Sequence, residues 1–164
     1  MGGVARFMHV SARQFCGDWR DAFGEVDVPG LPPLPRRATA GSAGYDFFSP
    51  LAFTLAPGES LRVPTGVRAR IDDGWVLMLF PRSGLGFKYR LQLNNTVGIV
   101  DADYFGARNE GHIFIKLTNA GDRPLSVKRG EAFAQGVLLP FGIAEDDDAT
   151  ERRVGGFGST DVGK

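Results

Sequence analysis

A regular succession of short apolar runs is the feature that most constrains the fold of this 164-residue chain. The runs at residues 67–71, 75–80, 113–118 and 137–141 are separated by clusters of Gly, Pro, Asp and Asn. Turn signals repeated about every 8–12 residues are typical of β-sandwiches and barrels, and runs this short do not sustain a helical period. The sequence therefore predicts a mainly β, antiparallel domain.

One helix is predicted ahead of the strands, over Ser11–Phe23. Apolar residues including Phe15 and Trp19 recur at helical spacing and form a stripe along one face. Ser11 and Gln14 form a capping-box pattern at the start, and Gly24 stands where a helix ends.

Two compositional breaks divide the chain. The proline-rich segment 29–35 cannot be helical and leads into the first strand of the β body, whereas 144–149 is a charged stretch typical of a solvated linker. We therefore expect an N-terminal strand and helix extension over 1–31, a β domain over 32–143, and an acidic linker with a flexible C-terminal arm over 144–164.

The charge balance and cysteine content narrow the classes of function. Nineteen basic and nineteen acidic residues give a formal net charge of zero, which argues against nucleic-acid and membrane-surface binding. Cys16 is the only cysteine, so no intrachain disulfide can form. No apolar run reaches the roughly 20 residues that span a bilayer, and the N-terminus lacks an apolar signal core. We expect a cytoplasmic protein, or a soluble nuclear or host-cell protein if the source is eukaryotic or viral.

Three stretches carry residues suited to chemistry. Arg82, Ser83 and Gly84, directly after an apolar strand, supply the cation, hydroxyl and free amides that suit a phosphate, although an ordinary glycine turn explains them better when they are taken alone. Asp101 and Asp103 would share one face of a strand and could hold a metal or activate water, but an Asp-rich surface hairpin looks similar. The tail 152–164 combines flexible glycines with an aromatic and two cations, groups suited to holding something.

The order of these stretches resembles the trimeric dUTPase family over about residues 32–160. The matching segments are AGYD (43–46), PRSGLG (81–86), NTVGIVDADYFG (95–106), GEAFAQ (130–135) and RRVGGFGST (152–160). The resemblance implies a jelly-roll fold that assembles as a homotrimer with shared active sites. It also implies Mg²⁺-dependent hydrolysis of dUTP to dUMP and pyrophosphate, which keeps uracil out of DNA and supplies dUMP for dTMP synthesis.

The resemblance also implies a role for each matching residue. Asp101 matches the carboxylate that activates the attacking water, and Asp46 matches one that reaches Mg²⁺ through water while the triphosphate binds the ion directly. The residues matching the uracil and deoxyribose site are Asn95, Gly98, Ile99, Tyr104 and Phe157. Those matching the phosphate site are Arg82, Ser83, Gly84, Gln135, Arg152, Gly158, Ser159 and Thr160. The tail would act as a lid over the bound nucleotide, with Phe157 stacked on uracil.

The chain departs from the family pattern at five places. Extra residues fall within 105–112 where the family commonly has YRGE, Ala132 replaces an arginine, Phe133 replaces an aliphatic residue, and Arg153 and Asp161 replace glycines. Two alternatives stay open. A dCTP deaminase would require a catalytic glutamate in the hairpin, whereas Glu110 falls beyond it. A nucleotide-dependent regulatory protein would bind its partner through 105–112 or 11–23.

Overall fold

The computed structural model describes residues 2–151 and Arg153. Within them the chain is mainly β, and every strand pairing is antiparallel, as the sequence predicts. The strands are β1 (Ala5–His9), β2 (Arg36–Arg37), β3 (Tyr45–Phe48), β4 (Phe53–Leu55), β5 (Ser60–Pro64), β6 (Val67–Ile71), β7 (Trp75–Pro81), β8 (Leu91–Leu93), β9 (Gly98–Val100), β10 (Phe114–Asn119), β11 (Leu125–Val127) and β12 (Ala132–Pro140). The helices are α1 (Ala12–Phe23), α2 (Ser83–Tyr89) and a 3₁₀ helix (Ala102–Gly106).

The strands form four sheets. The largest has the order β2-β3-β12-β7-β9, a three-stranded sheet has the order β5-β10-β8, and the pairs β1-β6 and β11-β4 complete the set. Side chains alternate as a half-buried strand requires: Ile115 and Leu117 of β10 are buried, while Lys116 between them is exposed. The jelly-roll topology and the division of the chain at residues 31 and 143 stay predictions.

Helix α1 begins and ends where the sequence indicates. The Ser11 hydroxyl accepts a hydrogen bond from the Gln14 amide at 3.1 Å, and Gly24 closes the helix at φ +78° by donating to the Arg20 carbonyl at 2.7 Å. Phe15 and Trp19, one turn apart, are buried in a small cluster beneath the helix.

Leu51 joins that small cluster to the main core. Its side chain packs against both sets of buried residues, so α1 is continuous with the β body. β1 adds a second attachment, since it pairs with β6 from Ala5 to His9. In the part of the chain that the structure describes, no helix is long and apolar enough to cross a membrane.

Candidate active site

Three of the predicted motifs meet where β3, β12 and β7 lie side by side. Gln135 of β12 is paired with Asp46 of β3 on one side and with Phe80 of β7 on the other. Its side-chain amide donates to the Pro81 carbonyl at 3.3 Å. Gly44 lies so close to the Gln135 amide oxygen that a Cβ there would collide with it and displace the end of the Gln135 side chain. The segments 43–46, 81–86 and 130–135 therefore form one local group.

Asp46 and Arg82 form an ion pair within this group. The Arg82 Nε atom lies 3.6 Å from Asp46 Oδ1, with the arginine side chain about half exposed and the aspartate largely covered. Asp46 is the carboxylate that the family resemblance implies as a contact to Mg²⁺ through water. Among the described residues, no three His, Cys, Asp or Glu side chains cluster as metal ligands.

The interpretation of 81–86 as a simple glycine turn is wrong. Arg82 is the N-cap of α2, and the Leu85 and Gly86 amides donate to its carbonyl oxygen at 3.1 and 2.9 Å. Arg82, Ser83 and Gly84 border a cavity of about 440 Å³. The helix was missed because two glycines hide its weak apolar pattern, and propensity alone disfavours glycine inside a helix.

The second group of predicted residues surrounds the turn between β8 and β9. Asn95 and Gly98 border a cavity of about 430 Å³ whose other walls include two cations, Arg62 and Lys116. Gly98 packs directly on β7, because a Cβ there would lie 2.9 Å from the Leu79 Cβ. Ile99 is 48% exposed on the neighbouring position of β9. The turn is therefore held against the sheet and opens on the cavity side.

The alternation argument expects Asp101 and Asp103 to share one face of a strand, but in the structure they do not lie on a strand. β9 ends at Val100, Asp101 is the N-cap of the 3₁₀ helix, and Asp103 lies in its first turn. The two carboxylates nevertheless meet one guanidinium: Arg153 Nη2 donates to Asp101 Oδ2 at 2.5 Å and its Nε donates to Asp103 Oδ1 at 3.1 Å. The sequence analysis assigns Arg153 no contact with either aspartate.

Tyr104 follows these carboxylates and faces inward. It is 2% exposed, and Arg153 lies over its ring at 5.9 Å from the centroid. Its hydroxyl donates to the His112 carbonyl at 2.6 Å and accepts from Asn109 Nδ2 at 2.8 Å. Burial is the main cause that raises the pKa of Tyr104, so the hydroxyl stays protonated and able to donate near neutral pH.

Asn109, His112 and Asp18 are residues that sequence reasoning missed. Asn109 borders the same cavity as Asn95, and His112 connects the segment after Tyr104 to Asp18 of α1. Positions 18 and 112 are too far apart in sequence for any local spacing to reveal their contact.

The two groups of site residues lie in one sheet with β7 between them, since Gln135 is paired with Phe80 and Gly98 with Leu79. No hydrogen bond or ion pair between described residues joins Asp46, Arg82 or Gln135 to Asn95 or Asp101. The predicted contacts of the C-terminal arm fall on residues outside the described part of the chain, namely Arg152, Phe157, Gly158, Ser159 and Thr160.

Comparison with known proteins agrees with this arrangement. The dUTPase family profile matches residues 32–161. A deoxyuridine 5'-triphosphate nucleotidohydrolase from Lactococcus lactis is 42% identical over 130 residues, covering 77% of this chain and 87% of the relative. The Streptococcus mutans dUTPase structure aligns with a TM-score of 0.63 and 34% identity, over 85% of this chain and 98% of that one. The dUTPase structure from phage phi11 of S. aureus aligns with a TM-score of 0.64 and 22% identity, over 91% and 98%.

The ordered motifs, the antiparallel fold and these similarities agree, and the chain belongs to the dUTPase family.

Proposed function

We propose that this protein hydrolyses dUTP to dUMP and pyrophosphate with Mg²⁺. The observation that carries the proposal is the position of Asp101. It follows β9 directly, three residues after Gly98, which borders the cavity together with Asn95. Family membership supplies the substrate class, since the relatives are named for hydrolysis of deoxyuridine triphosphate.

Asp101 is the group that would activate water. Its side chain is 46% exposed, and Arg153 engages only the Oδ2 atom, while no described residue donates to Oδ1. A carboxylate oxygen left open in this way can accept a proton from a water as that water attacks the α-phosphorus. The guanidinium of Arg153 has to withdraw or shift when the reacting water and the nucleotide enter.

The turn at 94–97 is suited to reading a uracil edge. It is short and closed, because the Thr96 amide donates to the Leu93 carbonyl at 3.0 Å and Thr96 has φ +68°. By the family resemblance, we expect a base held against Asn95 and the backbone at Gly98 to leave no room for the methyl group of thymine. The amino group of cytosine would leave polar groups unpaired, which rejects that base more strongly than a size difference does.

Tyr104 would face the deoxyribose and exclude a 2′-hydroxyl. Its ring is fixed at the hydroxyl end by Asn109 and the His112 carbonyl, so it cannot swing aside to admit a larger sugar. In the structure Arg153 covers the ring, so the same movement of Arg153 that opens Asp101 would expose it.

The group on β3, β12 and α2 would bind the phosphates. Arg82 supplies a cation, Ser83 a hydroxyl with Gly84 beside it, and Gln135 an amide, all in one local group. Asp46 fits Mg²⁺ as an outer contact, because one carboxylate beside an arginine cannot form an ion cage but can bind a coordinated water. When bound, the ion would neutralise charge on the triphosphate. The phage phi11 dUTPase structure describes coordination of a structural Mg(II) ion.

A homotrimer would complete the site. The family resemblance implies active sites shared between subunits, so we infer that a nucleotide contacts the phosphate group of one subunit and the uracil group of another. In this role the protein would act on the cytoplasmic nucleotide pool, keep uracil out of DNA and supply dUMP for dTMP synthesis.

Parallel assays with four nucleotides test the proposal. Pyrophosphate release is measured from dUTP, UTP, dCTP and dTTP with Mg²⁺ and with EDTA, and ammonia release is measured from dCTP. We expect turnover of dUTP alone, and only with Mg²⁺. Ammonia from dCTP would instead identify a deaminase, and dUTP binding without turnover of any nucleotide would identify a regulatory protein.

A further inference from the structure

Helix α1 is bonded at two points to the segment that follows Tyr104. The Ser11 amide and hydroxyl donate to the two carboxylate oxygens of Glu110 at 2.8 and 2.7 Å. About two turns further along the chain, Asp18 Oδ2 lies 2.5 Å from His112 Nδ1. The N-terminal extension therefore holds Glu110 and His112 directly, in addition to packing on the core.

The surroundings of His112 fix which ring nitrogen carries the proton. The Gly66 amide donates to His112 Nε2 at 2.8 Å, so that nitrogen is unprotonated and Nδ1 donates to Asp18. The ring is fully buried, with Phe114 and Phe15 against it at centroid distances of 4.7 and 6.1 Å. A buried imidazole bonded at both nitrogens has one orientation, and it transmits the position of α1 to the backbone at 112.

The turn between Asn109 and His112 has a backbone that needs such support. Glu110 has φ +60° and Gly111 has φ +70°, and a Cβ on Gly111 would lie 2.7 Å from the Tyr104 carbonyl oxygen. A non-glycine residue in this region is conformationally strained and persists only where its neighbours hold it. The two bonds from Ser11 to Glu110 provide that hold.

The same turn fixes Tyr104 and reaches the cavity. Asn109 Nδ2 donates to the Tyr104 hydroxyl at 2.8 Å, and the His112 carbonyl accepts from that hydroxyl at 2.6 Å. The Gly111 amide donates to Asn109 Oδ1 at 3.3 Å, which orients the Asn109 side chain. Asn109 also borders the cavity next to Asn95 and Gly98.

We propose that α1 is part of the nucleotide site: Ser11 and Asp18 hold the turn Asn109–His112, and Asn109 in that turn sets the sugar preference by holding Tyr104 in place. This inference rests on the proposed dUTP hydrolysis. Asn109 and Asp18 are positioning residues, because they act on the sugar through Tyr104.

The test compares the preference for dUTP over UTP in variants of the full chain. Asn109→Ala removes the hydrogen bond to the Tyr104 hydroxyl, and Asp18→Ala removes the hydrogen bond to His112 Nδ1. Asp18→Asn keeps an oxygen that accepts from His112 Nδ1. Asp21→Ala is the matched control, since Asp21 is an exposed acid on the same helix. kcat and KM are measured for both nucleotides, together with the unfolding temperature of each variant.

We expect Asn109→Ala and Asp18→Ala to lower the ratio of kcat/KM for dUTP to that for UTP about threefold to tenfold, the range for one lost hydrogen bond. The change should lie mainly in KM for UTP, which should fall, since a ring that can move no longer excludes the 2′-hydroxyl before and during the reaction alike. Asp18→Asn should restore most of the preference, and Asp21→Ala should leave it unchanged.

A lower unfolding temperature with an unchanged preference in Asn109→Ala and Asp18→Ala would overturn the inference and leave α1 a purely structural element. If Asp18→Ala does not fold, the preference for dUTP over UTP is measured in Asn109→Ala and Ser11→Ala, and an unchanged preference in both would overturn the inference. A different result tests the proposed function. If the wild-type protein does not turn over dUTP, both the proposed function and this inference are wrong. If the wild type turns over dUTP and the variants keep its preference for dUTP over UTP, only this inference is wrong.

Discussion

Arg153 Nη2 donates a hydrogen bond to Asp101 Oδ2 at 2.5 Å, so the residue proposed to activate water is paired with a cation from its own chain. The same guanidinium reaches Asp103 and lies over the ring of Tyr104. Arg153 therefore contacts both Asp101, where we propose that the attacking water binds, and Tyr104, where we propose that the sugar binds. It occupies a place where the family commonly has glycine.

Substitution of Arg153 should make the site easier to enter. Arg153→Ala removes the group that competes with nucleotide for Asp101 and Tyr104, so KM for dUTP should fall. An ion pair with one half-exposed partner contributes about 0.2–1 kcal/mol, which corresponds to a fall of up to about fivefold. Initial rates at low and high salt measure this, and the difference between the two proteins should shrink at high salt. A higher KM or a collapsed kcat would show that Arg153 binds the substrate itself.

Substitution of Asp101 should separate binding from turnover. Asp101→Asn keeps the size and polarity of the side chain but removes the base, so kcat should fall about a hundredfold to ten-thousandfold. KM for dUTP should change only a few fold, because the uracil turn and the phosphate group are untouched. Asp27→Asn, at an exposed acid in the segment after α1, is the matched control. Near-normal kcat in Asp101→Asn would remove this residue from the mechanism.

Adding a methyl group at Gly98 should damage the uracil site through the sheet beneath it. A Cβ at Gly98 would lie 2.9 Å from the Leu79 Cβ and 3.1 Å from its Cδ1, so β9 has to move away from β7. Overpacking of this kind costs about 1–3 kcal/mol of unfolding free energy, and displacement of the turn should raise KM for dUTP. Gly17→Ala in α1 is the control: its Cβ meets nothing within 4 Å, and alanine in a helix should raise stability by about 0.5–1 kcal/mol. Gly98→Ala with wild-type KM and stability would contradict the packing seen here.

The buried His112 should make stability depend on pH. Burial lowers its pKa below the ordinary value of 6.5, and the charges of Asp18 and Glu110 only partly offset this. At pH values between the folded and unfolded pKa of His112, the unfolded chain binds more protons than the folded one. The contribution of the buried ring to the free energy of unfolding is therefore complete above pH 6.5 and decreases as the pH falls below it. Glu110 has a pKa lowered by Ser11 from 4.5, so its own contribution is lost only in more acidic solution.

Denaturant unfolding at about pH 7.5 and about pH 5.5 measures this effect, on either side of the ordinary histidine value. The wild type should lose more unfolding free energy between the two conditions than His112→Gln, which carries no titrating ring. Equal losses in the two proteins would show that His112 is not the group responsible.

The sequence predicted the elements whose signals are local. Ser11 and Gly24 mark the ends of α1 because capping involves only residues within one turn, and the alternation in β10 reports which side chains face the core. By contrast, α2 contains Gly84 and Gly86, so neither propensity nor periodicity indicates a helix there. The strand-face argument failed at Asp101, because β9 ends one residue earlier and a 3₁₀ helix follows.

Long-range contacts account for what the sequence could not indicate. The motifs at 43–46, 81–86 and 130–135 could be named from their order, but only the register of β3, β12 and β7 brings Asp46, Arg82 and Gln135 together. The bond between Asp18 and His112 joins a helix outside the family's motifs to a segment where the chain departs from them. No pattern within either segment points to the other.

The fate of oxygen in hydrolysis tests the central claim most directly. Turnover of dUTP in water labelled with ¹⁸O, followed by mass spectrometry of both products, shows which phosphorus the water attacks. Attack on the α-phosphorus by a water activated at Asp101 predicts one labelled oxygen in dUMP and none in pyrophosphate. Label in pyrophosphate instead, or no conversion of dUTP with Mg²⁺ present, would contradict the account.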